Sequence, residues 1–184
     1  MRIDPVQVRR YLWLYGRKPG EALERRIEAM REAALGAIRP ARTWRRLDDL
    51  AELDMRGSKS LAAHLEKCHA AYLACGTLGA PFDAWHRQVT VKSAADALVV
   101  QAIGAAAIEK VMDSIEDDIR AELAPGESLV ARYSPGYADF PLAAQRELLA
   151  LLDAPRKVGV SLTDSLLMVP SKSVSAVIGV RKGT

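Results

Sequence analysis

The sequence predicts an α+β fold, a modest mixed or antiparallel sheet covered by helices, and three observations carry that expectation. Apolar residues recur at helical spacing in two windows: Leu23, Ile27, Met30, Ala34 and Ile38 in one, and the Ala-rich residues 93–123 in the other. Short apolar runs at residues 70–74, 166–169 and 174–180 read as strands. Helical and strand segments are mixed without regular alternation.

Taken in chain order, Asp4 before Pro5 starts a helix, because aspartate caps free amides and proline suits the first turn; Gly16 stops it. A second helix is expected over 20–37, with its arginines largely on the outer face and Pro40 beyond it. Residues 43–55 stay ambiguous, since Trp44, Leu47, Leu50 and Leu53 suit a helix while Trp44 and Leu47 also suit a strand. Ser58 caps a short helix reaching about Lys67, and the strand at 70–74 runs into a turn at 76–79. The helix over 93–123 contains QAIGAAAIEK, whose Ala and Gly let another backbone or a ligand approach closely. Asp113, Glu116, Asp117 and Asp118 mark its solvated end, and Pro125-Gly126 terminates it. An irregular stretch over 132–141 precedes a helix to about Leu152 and the last two strands.

With 184 residues, 49% hydrophobic and 27% charged, the chain is expected to form one domain over 1–184, an Arg-rich helical part at 1–56 and a core at 57–184. Its longest apolar stretch, residues 94–108, is interrupted by Asp96 and Gln101 and falls short of the roughly 20 residues a membrane helix needs. The first residues lack the ordered regions of a secretory signal, so no membrane and a cytoplasmic location are expected. Cys68 and Cys75 match no disulfide framework and are expected to be reduced. Net charge is +3, yet residues 1–46 hold twelve Arg or Lys against five Asp or Glu. Such a patch suits nucleic acid or an acidic protein, although on two amphipathic helices it is more often a solvated face.

Glycine-rich dinucleotide and phosphate loops, a paired-histidine zinc helix and a nucleophile elbow are all missing from the sequence. His64, Cys68 and His69 lack a fourth ligand at zinc spacing and are expected to be structural, with His86 a turn away. Tyr11, Trp13 and Tyr15 among arginines read as rings packed on a helix, not a base-stacking platform, so no nucleic acid is expected.

The stretch at 132–141 concentrates Arg132, Tyr133, Pro135, Gly136 and Tyr137. From the residues alone it suits a surface turn packed on a sheet. It also suits a small zwitterion, since arginine holds a carboxylate, Pro and Gly admit a nucleoside, and a phenol ring attracts a sulfonium. RYSPGY at 132–137 resembles the Arg-x-x-Pro-Gly-Tyr signature of the activation domain of cobalamin-dependent methionine synthase. A second block follows in the family's order: Leu162, Thr163, Asp164, Ser165, Met168, Pro170, Ser173, Val174 and Ser175. Thr77, Leu78, Gly79, Ile108 and Glu109 are similar to small single-domain versions.

The resemblance implies an S-adenosylmethionine site. In it Arg132 lies near the ligand carboxylate, Tyr133 and Pro135 belong to the binding loop, Ser134 turns its backbone to the ligand, Gly136 permits the turn and Tyr137 closes the motif. Glu109 would face the methionyl or ribosyl end, although helical spacing with Ala102, Ala106, Asp113 and Glu116 equally suits a solvated acidic edge. A further tyrosine of the large synthases has no match by motif, and Asp4 is a candidate for their amine-binding aspartate. The implied role is reductive methylation of cob(II)alamin on a separate cobalamin-binding or methionine synthase protein, so cobalamin is reached only through a partner. A flavodoxin-like electron donor could use the Arg-rich end. The alternatives are an S-adenosylmethionine sensor or a scaffold that binds the corrinoid protein without methyl transfer.

Overall fold

The computed structural model describes residues 2–14, 16–17 and 19–183. Helix α1 (Pro5–Tyr11) begins where the Asp4 carboxylate accepts from the Val6 amide at 2.9 Å. It ends at Tyr11 rather than Gly16, because Leu12 caps it and Trp13 enters left-handed backbone at φ 59°. Trp13 therefore lies past the helix and is 75% exposed, and Tyr15 lies outside the described residues.

Helix α2 (Glu21–Ala37) follows the expected window and buries Ile27 and Ala34. The ambiguous stretch resolves into strand β1 (Ala41–Leu47) and a 3-10 turn at Leu50–Glu52. Helix α3 (Lys59–Leu65) starts at Ser58, whose hydroxyl accepts from the Leu61 amide at 3.1 Å. Strand β2 (Ala70–Thr77) runs through Gly76 and Thr77, where a turn was expected; the break comes at Gly79, with φ +84°. Helix α4 (Ala80–Lys92), unassigned from the sequence, follows with a proline in its first turn. The long helix α5 (Ala94–Glu122) starts at Ser93, as expected, and its side chains explain the glycine in β2: a β-carbon on Gly76 would meet Met112 Sδ and Val111 Cγ1 at 3.0 Å.

The rest comprises β3 (Glu127–Leu129), α6 (Gln145–Leu151), α7 (Ala154–Val158), β4 (Ser161–Leu162), β5 (Met168–Val169) and β6 (Ser173–Lys182). β3, α7 and β4 are too short to leave a sequence signal. β5 is shorter than expected because Leu166 adopts φ 64°. Four strands form one antiparallel sheet in the order β1-β2-β6-β3, and β4 pairs with β5 separately.

β2 is buried along its whole length. On one face Tyr72, Ala74 and Ile178 meet Met112, Ile115 and Ile119 of α5. On the other, Ala71, Leu73 and Val177 meet Leu61 and Leu65 of α3 and Leu148 of α6. Helices α1, α2 and α4 cover the outer side of α5 through Val8, Ile27 and Phe82. Close approach to the Ala-rich middle is realised at Gly104, where a β-carbon would lie 2.9 Å from both the Phe82 ring and Lys172 Cε. The sheet edges are tied by Glu127, which accepts from Arg46 at 2.9 and 3.2 Å and pairs with His69 Nε2 at 2.8 Å. The Arg46 hydrogen bonds, with the Ala124 amide and His69, hold the Glu127 carboxyl at about 2. Among the described residues no helix is long and apolar enough to cross a membrane.

Gly179 of β6 has no spare room: a β-carbon would meet Cys68 Sγ at 2.6 Å and Leu65 Cδ2 at 2.7 Å. Gly179→Ala is expected to cost about 1–3 kcal/mol. Gly36→Ala, on open helix surface, is expected to add about 0.5–1 kcal/mol. Urea midpoints read both, and a Gly179→Ala midpoint at or above wild type would refute the packing argument.

Candidate functional site

Residues 132–141 leave the sheet as a short extended segment. Tyr133 bridges Val177 of β6 through two backbone hydrogen bonds, of 2.9 and 2.8 Å. Alternation along extended backbone sends neighbouring side chains to opposite sides, so Arg132 reaches α5 while Tyr133 turns toward α3. The Arg132 guanidinium donates to Glu109 at 2.8 Å and to Asp113 at 3.1 Å, and pairs with Glu116 at 3.1 Å. These three carboxylates stand at i, i+4 and i+7 on one face of α5. One cation thus relieves a row of like charges.

The Tyr133 hydroxyl donates to Ser60 Oγ at 2.6 Å, and its ring lies 4.9 Å from His64 and 5.3 Å, edge-on, from Tyr137. Beyond it the loop closes on itself. The Gly136 amide, at φ +89°, donates to the Phe140 carbonyl at 2.8 Å, and the Tyr137 amide to the Ser134 carbonyl at 3.2 Å. Pro135 and Phe140 are buried, while the Tyr137 ring is 67% exposed. Asp139 fastens the loop to the first turn of α3, accepting from the Ser58 hydroxyl at 2.6 Å, the Lys59 amide at 2.9 Å and both the amide and hydroxyl of Ser60. The two hydroxyls, more than the amides, hold its carboxyl well below the usual carboxylate range.

On the outer side of α5 a groove of about 550 Å³ opens against α1. Glu109, Lys110 and Asp113 line it from α5; Asp4, Gln7, Arg10 and Tyr11 line it from α1 and its cap, with Arg2 at the end. Burial, and then the charge of Glu109, push the Tyr11 phenol up from its ordinary value. Arg132 stands behind the carboxylates, and among the described residues none of 132–137 lines the groove. The fold therefore joins Arg132 to Glu109 and brings Asp4 to the same groove, whereas Tyr133 and Tyr137 sit together on the α3 side. Gln7, Arg10, Tyr11 and Lys110 went unread as a site. Their signal was present in part, since positions 4, 7 and 11 share one face of a helix, as do 106, 109, 110 and 113.

The residues that superficially suggested a metal serve separate contacts. His64 Nε2 lies 2.8 Å from the Ala131 carbonyl, His69 pairs with Glu127, and Cys68 fills the space above Gly179. Gln145 Oε1 and Ser175 Oγ are buried without a hydrogen-bond partner among the described residues, and each keeps capacity for a water or ligand contact.

A family model described as the activation domain of vitamin B12 dependent methionine synthase matches residues 86–183, just over half of the chain. No curated protein matches. Among solved structures the fold is similar to a crystal structure described as the MetH reactivation domain bound to AdoHcy, at 19% identity and a TM-score of 0.50. The match covers 60% of this chain and 39% of that one, so it spans well under two thirds of that protein's length.

Because folding lowers the Asp139 pKa, the stability this carboxyl adds is complete above about pH 4, its ordinary value, and is lost as pH falls below that. Asp139→Asn is expected to lower the melting temperature at pH 7, with the gap to wild type narrowing steadily below about pH 4. Melts that keep a constant gap down to about pH 2 would reject the clamp.

Proposed function

Because the chain belongs to the vitamin B12 dependent methionine synthase activation-domain family, we propose that it binds S-adenosylmethionine and supports reductive methylation of cob(II)alamin on a separate corrinoid or methionine synthase protein. One observation carries this reading: the RYSPGY loop and the long helix meet through Arg132 and Glu109, 2.8 Å apart, beside a groove of mixed charge. Both residues fall inside the matched region. That a similar structure is described as bound to AdoHcy supports the same ligand class.

The groove residues fit the ligand's chemistry. Asp4, Glu109 and Asp113 offer carboxylates to an ammonium and a sulfonium, and Tyr11 offers a ring to the sulfonium. Arg2, Arg10 and Lys110 supply positive charge for a carboxylate. The volume of about 550 Å³ lies within the roughly 300–1,000 Å³ of small-molecule pockets. Ser134, Pro135, Gly136 and Tyr137 do not line this groove, and their part in the proposal rests on the loop motif alone. Tyr11, from the opposite end of the chain, would supply a phenol in place of the tyrosine the large synthases add.

When bound, S-adenosylmethionine supplies a methyl group that, with one electron from a reductase, converts cob(II)alamin to methylcobalamin and leaves S-adenosylhomocysteine. The residues here contribute position: they hold the sulfonium end in one orientation and keep water from it, with no acid or base step required of them. The protein is then one component of a methyltransferase system in the cytoplasm, and cobalamin arrives on its partner. An acidic, flavodoxin-like donor belongs to the proposal on charge alone. Arg9, Arg25 and Arg26 already pair with Glu24, Glu21 and Asp96, which leaves such a donor fewer free cations. A scaffold without ligand draws support from the triple ion pair of Arg132, a complete structural contact in itself.

Calorimetric titration with S-adenosylmethionine is expected to show one site, weakened about tenfold or more by Arg132→Ala and Glu109→Gln. Folded wild-type protein that gives no binding would reject the ligand reading and leave the scaffold. Reductive methylation of a purified corrinoid protein separates activator from sensor, since a mixture that binds ligand but never methylates is a sensor.

A further inference from the structure

We propose that Lys172 is a covalent modification site, an amine placed to take the acyl group of an acyl phosphate. It lies in the second motif block, for which the S-adenosylmethionine reading has no task, and the assignment is independent of that reading.

Lys172 closes the turn into β6, and its carbonyl accepts from the Leu78 amide at 2.9 Å. Its side chain points, as those of Val174 and Ala176 do, to the α5 face of the sheet. There the methylene stem lies over Gly104, where a β-carbon would come within 2.9 Å of both Lys172 Cε and the Phe82 ring. Strand, helix and ring together fix the stem.

The amine at its end has no counter-ion. Among the described residues Nζ has neither a hydrogen-bond nor an ion-pair partner. The carboxylate whose charge acts on it, Asp83, is already engaged, accepting from the Ser171 amide at 2.6 Å and the Ser171 hydroxyl at 2.9 Å. Among the described residues the other lysines are exposed, and Lys172 alone is half-buried. Burial pushes its amine down from the ordinary lysine value, against the opposing pull of Asp83.

A lysine attacks a carbonyl only through its neutral amine, so an apolar seat without a partner selects this lysine over the solvated ones. The Nζ lone pair adds to the acyl carbon and an N–C bond forms. The C–O bond to phosphate breaks, phosphate leaves with the bonding pair, and the nitrogen passes its extra proton to water. The product amide is uncharged. Modification therefore removes a charge from a half-buried position, where charge is costly.

The full chain, folded and in urea, is treated briefly with acetyl phosphate at about pH 8, and peptide mass spectrometry reads the acetylation of each lysine. In the folded chain Lys172 is expected to react about threefold or more faster than Lys92 and Lys157, and in urea at their rate. A lowered amine is favoured only below the ordinary lysine value, so the advantage is expected to vanish as pH rises through about 10.4. A folded Lys172 that reacts no faster than the exposed lysines, or an advantage that persists in urea or at high pH, overturns the assignment. Lys172→Met keeps the apolar stem and is expected to raise the melting temperature at about pH 7. A lower melting temperature reveals a stabilising partner for the ammonium and overturns the assignment as well.

Discussion

Strand β2 has no solvent-facing side: all eight of its residues are buried, and both faces of the central sheet must therefore be covered. Helix α5 covers one face through Met112, Ile115 and Ile119, and the layer of α3, α6 and α7 covers the other. The orientation of α5 is set by that packing, with Gly76 letting it settle against the sheet. Once its inner stripe is fixed, a second stripe, bearing Glu109, Asp113 and Glu116, is fixed as well. The acidic wall of the groove is thus a by-product of how the core is closed.

The loop is constrained as firmly as the helix. A single pair of backbone bonds between Tyr133 and Val177 decides which side chain goes where, because Arg132 and Tyr133 must then point to opposite faces. One supplies the cation behind the acidic wall and the other joins a cluster with His64, Tyr137 and Phe140. A slip of one residue at that bridge would exchange a buried phenol for a guanidinium and strip α5 of its counter-charge. The segment that looks irregular in sequence is accordingly held at three points: the bridge, the Asp139 clamp and the buried Phe140.

Long periodic segments were legible from sequence. α2, α5 and β6 declared themselves through spacing, and Asp4, Ser58 and Ser93 through cap chemistry. The failures are local and physical. Gly76 reads as a turn because glycine usually marks one, and only the proximity of Met112 explains its place in a strand. α4 went unseen because its core-facing stripe is only Phe82, Trp85 and Val89, interrupted by polar residues on a short helix. Two-residue strands such as β4 and β5 exist by pairing with each other, which no single window contains. The meeting of Arg132 with Glu109 was legible only through the family motif. That Arg10 and Tyr11 face the same helix depends on tertiary packing across about a hundred residues of sequence.

Helix α1 is a wall of the groove yet only seven residues long, and it buries just Val8. Helices of that length are marginal by themselves, so this one depends on its packing against α5. Any molecule that touches α1 and α5 at once must stabilise the docked state of α1 by mass action, and loss of that docking must in turn weaken its binding. Occupancy of the groove and local unfolding of residues 2–11 are thus two readings of one equilibrium.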